Sequence, residues 1–212
     1  MSDTTYTVRS SGLGLRHPLV WAILVGWSLT IALATSGGVF LANTGGIPFP
    51  LALAAILPPL LYLAGWRLSP ALRTWVAGLD LGWVVGAQTF RVIGTVFLVL
   101  WAMGDLPTAF GLTAGLGDMA VGLFALTVVL AVERKAPGWE GQVRTLVVVG
   151  LLDFGAAFGT ATLSGQGFPL QLPGEVAPVL MLQLPMAMIP AFGVPLFIIL
   201  HLMAWQKLPA RR

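Results

Sequence analysis

Apolar residues run along the chain in six long stretches, at roughly 18–41, 47–66, 74–104, 107–132, 145–164 and 185–205. Each reaches the ~20 residues that a helix needs to cross the hydrocarbon core of a bilayer. The pattern predicts an all-α, polytopic integral membrane protein: an N-terminal segment 1–17, one six-helix transmembrane domain over 18–205, and a basic tail 206–212. The connections Asn43-Thr44-Gly45-Gly46, Arg67–Arg73, Gly104–Pro107 and Glu133–Arg144 are short, so sequential helices are expected to be antiparallel neighbours. The fifth connection, 165–184, is long and apolar and carries Pro169, Pro173 and Pro178. Prolines block a regular helix through it, which predicts an interfacial flap or a re-entrant piece on the outer face. Pro58 and Pro59 in the second stretch, and Pro185, Pro190 and Pro195 in the last, predict local interruptions of the backbone ladder.

Composition agrees with this pattern. The 212 residues are 57% hydrophobic and only 9% charged, with a mean hydropathy of +0.91. Soluble domains carry about a quarter charged residues, and disordered chains more, so both classes are excluded. Cysteine is absent, which removes disulfides, thiolate metal sites and cysteine nucleophiles. His17 and His201 are the two histidines, too few for a multi-histidine metal centre within one chain. Neither a Walker A loop nor a serine elbow is present. The glycine string Gly115-Leu116-Gly117-Asp118-Met119-Ala120 lies inside an apolar stretch, without the strand–turn–helix context of a dinucleotide site.

Charge orients the chain. With the N-terminus cytoplasmic, the inner segments hold Arg9, Arg16, Arg67, Arg73, Arg134, Lys135, Arg144, Lys207, Arg211 and Arg212, whereas the outer loops carry only Asp105 and Glu175. The positive-inside rule therefore predicts six spans with both termini cytoplasmic, and the expected location is a bacterial inner membrane. The same dispersal in short hops argues against nucleic acid as a partner, despite a pI near 10.0. Arg9, Arg16 and the run to Ala32-Leu33-Ala34 resemble a cleavable signal, but the run is long for one and is read as a retained helix. Trp66, Trp75, Trp101, Trp139 and Trp205 fall at the ends of stretches, as interfacial belts do.

Candidate chemistry rests on ionisable residues at bilayer depth, which cost at least ~2.5–3.5 kcal/mol to insert and seldom face lipid. Arg91, Asp118 and Asp153 lie near the middle of the third, fourth and fifth stretches. Arginine keeps its charge, so one carboxylate balances it, and the second holds a proton or shares one with the first. Gly111, Gly115, Asp118 and Gly122 share a helical stripe, as do Gly150, Asp153, Ala157 and Ala161. Such small-residue stripes turn the carboxylates towards other helices. Gln88 is one turn from Arg91, within reach of it or its partner. Asp80 falls nearly three turns before Arg91 on the same face, at a depth similar to His201, so an Asp80–His201 contact is an open option. Gly78, Gly82 and Gly86 line a different face of that helix.

These residues support two functional readings. One is a small transporter or exporter, with proton coupling, in which Arg91, Asp118, Asp153 and Gln88 bind substrate or proton and Asp80 and His201 are secondary candidates. The other is a non-catalytic accessory or scaffold subunit of a larger membrane complex, contacting lipid or pigment, with the same cluster as a structural ion pair. An embedded enzyme with paired Asp as acid and base is a weaker third, since no nucleophile or metal motif accompanies it. No metal site is expected. A bis-histidine haem through His17 and His201 is geometrically open but has no supporting motif. Expected partners are membrane lipids, other membrane subunits or further copies of the chain. The two halves show no convincing match, which weighs against an inverted repeat.

Overall fold

The computed structural model describes residues 18–41 and 48–209. Six helices in it are long and apolar enough to cross a membrane: Pro18–Ser36 (α1), Phe49–Leu68 (α2), Leu81–Ala102 (α4), Thr108–Glu133 (α5), Trp139–Leu163 (α6) and Ile189–Gln206 (α7). No strand occurs among the described residues. A short helix, Pro70–Gly78 (α3), lies between α2 and α4. It starts at Pro70, whose fixed φ suits a first helical position, and the Ser69 hydroxyl accepts the Leu72 N–H at 3.2 Å.

The third apolar stretch is therefore not one span over 74–104. It breaks at Leu79–Asp80, where the backbone becomes extended, and Asp80 opens α4 as its N-cap, accepting the Trp83 N–H at 2.8 Å. A carboxylate at a helix start satisfies an orphan donor and complements the helix dipole. Hydropathy could not show this break, because apolar residues continue across it. Elsewhere the differences are at boundaries. Helix α6 begins at Trp139, six residues before the expected start of the fifth span at 145, so Arg144 is helical. The turn before it uses left-handed backbone at Lys135 (φ 48°) and Gly138 (φ 79°).

Helix α5 packs on both α4 and α6, and α7 packs on α6, α4 and α2. The expectation that sequential helices are neighbours holds from α4 onwards but fails for α2. That helix seats mainly on α7, where the Tyr62 hydroxyl also hydrogen-bonds to Gln206 Oε1. The interposed α3 leads the chain away before α4 begins. Helix α1 buries only Ile31 and Thr35.

The middle of α4 is wound as a 3₁₀-helix over Ala87–Thr95. Runs of this kind longer than three or four residues are uncommon, and mark a strained or functional stretch. Thr89 and Thr95 reinforce it by donating to carbonyls three residues back, Gly86 at 2.7 Å and Val92 at 2.7 Å. With three residues per turn, side chains three apart stack in line. Gln88, Arg91 and Gly94 are buried and form that line, and buried Gly82, Val85 and Phe97 continue the three-residue spacing into the flanking α-helical turns.

Helix α7 opens with a π-helical turn, Ile189–Gly193, around Pro190. The carbonyl that Pro190 would leave free at Met186 accepts the Ile189 N–H instead, at 3.0 Å. The 165–184 connection folds back over the helix ends as turns and a 3₁₀ segment, Val179–Leu182, burying Met181 and Leu182.

Candidate functional site

Four adjacent helices each send one ionisable side chain to a common point: Arg91 from α4, Asp118 from α5, Asp153 from α6 and His201 from α7. The Arg91 side chain is fully buried, and all three of its nitrogens are engaged. Nε donates to Asp118 Oδ1 at 2.8 Å and Nη2 to Asp153 Oδ2. Nη1 donates to the Gly150 carbonyl at 3.3 Å and faces His201 Nε2 at 3.4 Å. The guanidinium carbon lies 3.9 Å from the centroid of the Phe154 ring, a cation–π contact in a desolvated setting. Because arginine only donates, His201 Nε2 is the acceptor and its proton sits on Nδ1. That atom is buried without a hydrogen-bond partner.

Small residues make this convergence possible. A Cβ at Gly94 would lie 2.7 Å from Asp118 Cγ, and one at Gly150 would lie 3.0 Å from Arg91 Nη1. Gly115 and Gly122 bring α5 so close to α4 that a Cβ would reach backbone nitrogens, Leu98 N at 3.1 Å and Val92 N at 2.8 Å. The stripe on α5 is thus the seat of α4, and Gly117 makes room for Asp153, whose Cγ would lie 2.7 Å from a Cβ there.

Three expectations are corrected here. One arginine binds both carboxylates, so Asp118 and Asp153 do not divide into a paired and an unpaired one. Gln88 bonds neither Arg91 nor an aspartate. Its Nε2 donates to the Phe197 carbonyl at 3.2 Å, across to α7, and its Oε1 is buried without a partner. Asp80 does not meet His201: it is exposed at the start of α4, with Lys207 as its charged neighbour. Lys207 Nζ caps the end of α3 through the Val76 and Ala77 carbonyls, at 3.1 and 2.8 Å. Burial lowers the Lys207 ammonium pKa while Asp80 opposes the shift. The spacing argument failed because it assumed one continuous α-helix from Asp80 to Arg91. Gly78 likewise ends α3, while Gly82 and Gly86 face Glu133 and Val129 of α5.

A cavity of about 130 Å3 leads from beneath the 165–182 loop down to this cluster. Phe97, Phe110, Phe154 and Phe158 line it, with Asp118 as the one charged side chain among the described residues on its wall. Asp118 Oδ1 takes the Arg91 bond, no hydrogen bond from the described residues falls on Oδ2, which lies beside Gly94, and the side chain retains 12% exposure. The loop above is tied down by a relay: Trp101 Nε1 donates to Thr108 Oγ1 at 3.0 Å, and Thr108 donates through its hydroxyl and its backbone N–H to Glu175 Oε1. These bonds, the hydroxyl's first, hold the Glu175 carboxyl below its ordinary range.

Sequence reasoning missed Phe154, the Gly150 carbonyl and the aromatic cavity wall. Phe154 follows Asp153 and lies four residues after Gly150, so helical spacing could have placed it beside the charge. No three His, Asp or Glu side chains converge as metal ligands among the described residues. The haem option needs His17, which lies outside the described residues, and His201, which faces Arg91 and the edge of Phe154.

A family model described as a domain of unknown function (DUF8737) matches residues 48–208, and the chain belongs to that family. No curated protein and no solved structure matches it.

Proposed function

We propose that this chain is a small membrane transporter or exporter, driven by proton exchange at the Arg91–Asp118–Asp153 cluster. The observation that carries this reading is a charge imbalance with access: two carboxylates share one guanidinium, and one of them lines a cavity. A purely structural ion pair requires one carboxylate and no cavity. With both aspartates ionised, the cluster is one negative charge in excess. At this depth the excess is expensive, so the cluster carries one proton or one other cation. Exchange of that occupant as access alternates is the transport step. Arg91 and His201 position the carboxylates, and Gln88 links α4 to α7 beside them.

Both termini are placed on the cytoplasmic side of a bacterial inner membrane, on the strength of the positive-inside distribution. Arg67, Arg73, Arg134, Lys135, Arg144 and Lys207 then share one side with α3, and the cavity lies beneath the outer loop. Lipids surround the bundle. An accessory or scaffold role draws on a different observation: α1 leaves Leu19, Trp21, Ile23, Val25, Leu29 and Leu33 exposed, a face that another subunit or a second copy of the chain would cover.

Proton flux into proteoliposomes under an imposed pH gradient tests the transporter. Wild-type protein should carry protons, and Asp118→Asn and Asp153→Asn should abolish the flux while eluting as folded protein. Undiminished flux in both variants, or none from wild type with any solute gradient, would sink the reading in favour of the accessory role.

A further inference from the structure

We propose that the cavity under the outer loop binds a small lipophilic amine in its ammonium form, with the nitrogen on the Asp118 carboxylate and the apolar body against the phenylalanine wall. This rests on the transporter reading and names its substrate class. The walls are apolar and aromatic: Phe97, Phe110, Phe154, Phe158 and Met181 surround the space, and the polar side chains Thr162 and Gln166 lie on it with Asp118. Aromatic faces attract cations and repel anions. At the inner end, a ligand meets the Asp118 carboxylate before any positive charge, because the Arg91 side chain has no exposed surface while that of Asp118 retains some. An anionic ligand would therefore face Asp118 with no cation in reach. A neutral hydrocarbon would strip water from the Asp118 carboxylate without replacing its hydrogen bonds, which is costly.

Charge and size narrow the class further. The cluster is short of one positive charge, which a monovalent ammonium supplies. A dry apolar cavity of ~150 Å3 holds one benzene, so about 130 Å3 admits a short branched chain with its amine. The titratable groups facing Asp118 are Arg91 of α4, Asp153 of α6 and His201 of α7. Helix α2 adds only apolar side chains to the wall, Leu51 and Ala52 among them. The ammonium and the proton compete for the same excess charge. Binding of one ammonium therefore releases the one proton that the cluster held, and the site's net charge is unchanged. That stoichiometry makes the protein an amine–proton exchanger.

The test is calorimetric titration of the full chain in detergent with isobutylamine at pH 7, in two buffers of different ionisation enthalpy. Its isostere 2-methylbutane and the anion 3-methylbutanoate serve as controls. The expected result is saturable one-to-one binding of the amine with release of one proton, at least tenfold weaker in Asp118→Asn. The anion should show no binding, and 2-methylbutane should not distinguish the two proteins. Should Asp118→Asn fail to fold, Ala161→Leu decides, since it fills the cavity without touching the ion cluster. It should lose amine binding at an unchanged thermal midpoint. Absent saturable amine binding, equal amine affinity in a folded Asp118→Asn, or full binding by Ala161→Leu would overturn the proposal. Amine binding without amine-driven proton flux in proteoliposomes would leave this site standing and remove the transporter, whereas proton flux without amine binding would do the reverse.

Discussion

At the scale of single residues, Arg91 carries the largest consequence. Its guanidinium serves two buried carboxylates, a carbonyl and an aromatic face at once. Removing one member of a buried pair costs ~3–5 kcal/mol, because the remaining charge is stranded. Arg91→Leu should therefore collapse folded yield, whereas Asp153→Asn leaves a balanced Arg91–Asp118 pair and should lower the thermal midpoint far less. Fluorescence-detected size exclusion after a heating series ranks the variants. Arg91→Lys should fall between them, since one ammonium on a flexible stem cannot make the forked bonds to both aspartates. Equal midpoints for Arg91→Leu and Asp153→Asn would contradict the shared pairing. The presence of these charged residues was legible from their depth in apolar stretches. Their pairing was not, because a carboxylate's partner depends on which helices lie side by side.

Among the elements, the 3₁₀ segment of α4 decides the site. Burial at Gly82, Val85, Gln88, Arg91, Gly94 and Phe97 has a period of three. The sequence contained that spacing, but reading it at 3.6 residues per turn dispersed these positions over several faces. In an α-helix, Gly94 would rotate away from Arg91, and Asp118 would lose the gap it occupies. Gly94→Ala places a Cβ 2.7 Å from Asp118 Cγ, so it should abolish proton flux even though alanine favours helix. Retained flux in Gly94→Ala would show that α4 can rewind without harm to the site. The 165–184 loop is a second element with a specific tie. Glu175 titrates below its ordinary range in the folded protein, so its contribution is present above that range and disappears as pH falls through the lowered folded value. Glu175→Ala should lower the thermal midpoint by roughly 2–4 °C at pH 7, the shift of a ~1 kcal/mol change in a chain of this size. The difference from wild type should vanish in acid. A gap that persists at low pH would mean the tie is packing, not charge.

For the whole molecule, orientation is open to direct labelling, because the chain has no cysteine. Single cysteines at Gln166 and Arg134 should behave oppositely towards a membrane-impermeant maleimide. Gln166→Cys should react in intact cells, and Arg134→Cys only after permeabilisation. The reverse pattern would invert the bundle and place the cavity on the cytoplasmic side. Charge alternation supports the first outcome because it depends on the number of crossings, and the six apolar helices match the six apolar stretches. Helix neighbours were less legible. The expected sequence of antiparallel pairs fails at α2, which bypasses α4 for α7, since both faces of such helices are apolar and lipid is as good a solvent for them as another helix.

By itself the sequence determined that this chain is helical, that it has six segments able to cross a membrane, and that Arg91, Asp118 and Asp153 sit deep within three of them. Those properties follow from local quantities: apolar length, charge cost at depth and small-residue spacing. Tertiary structure alone decided that one arginine joins both aspartates, that His201 and Phe154 complete the cluster, that Asp80 caps a helix instead, and that an aromatic cavity ends on Asp118. Each of these requires two or more helices at a defined distance and rotation. Hydropathy is blind to rotation, and the 3₁₀ winding that sets it for Arg91 is stabilised by the close seat that glycines on α5 provide.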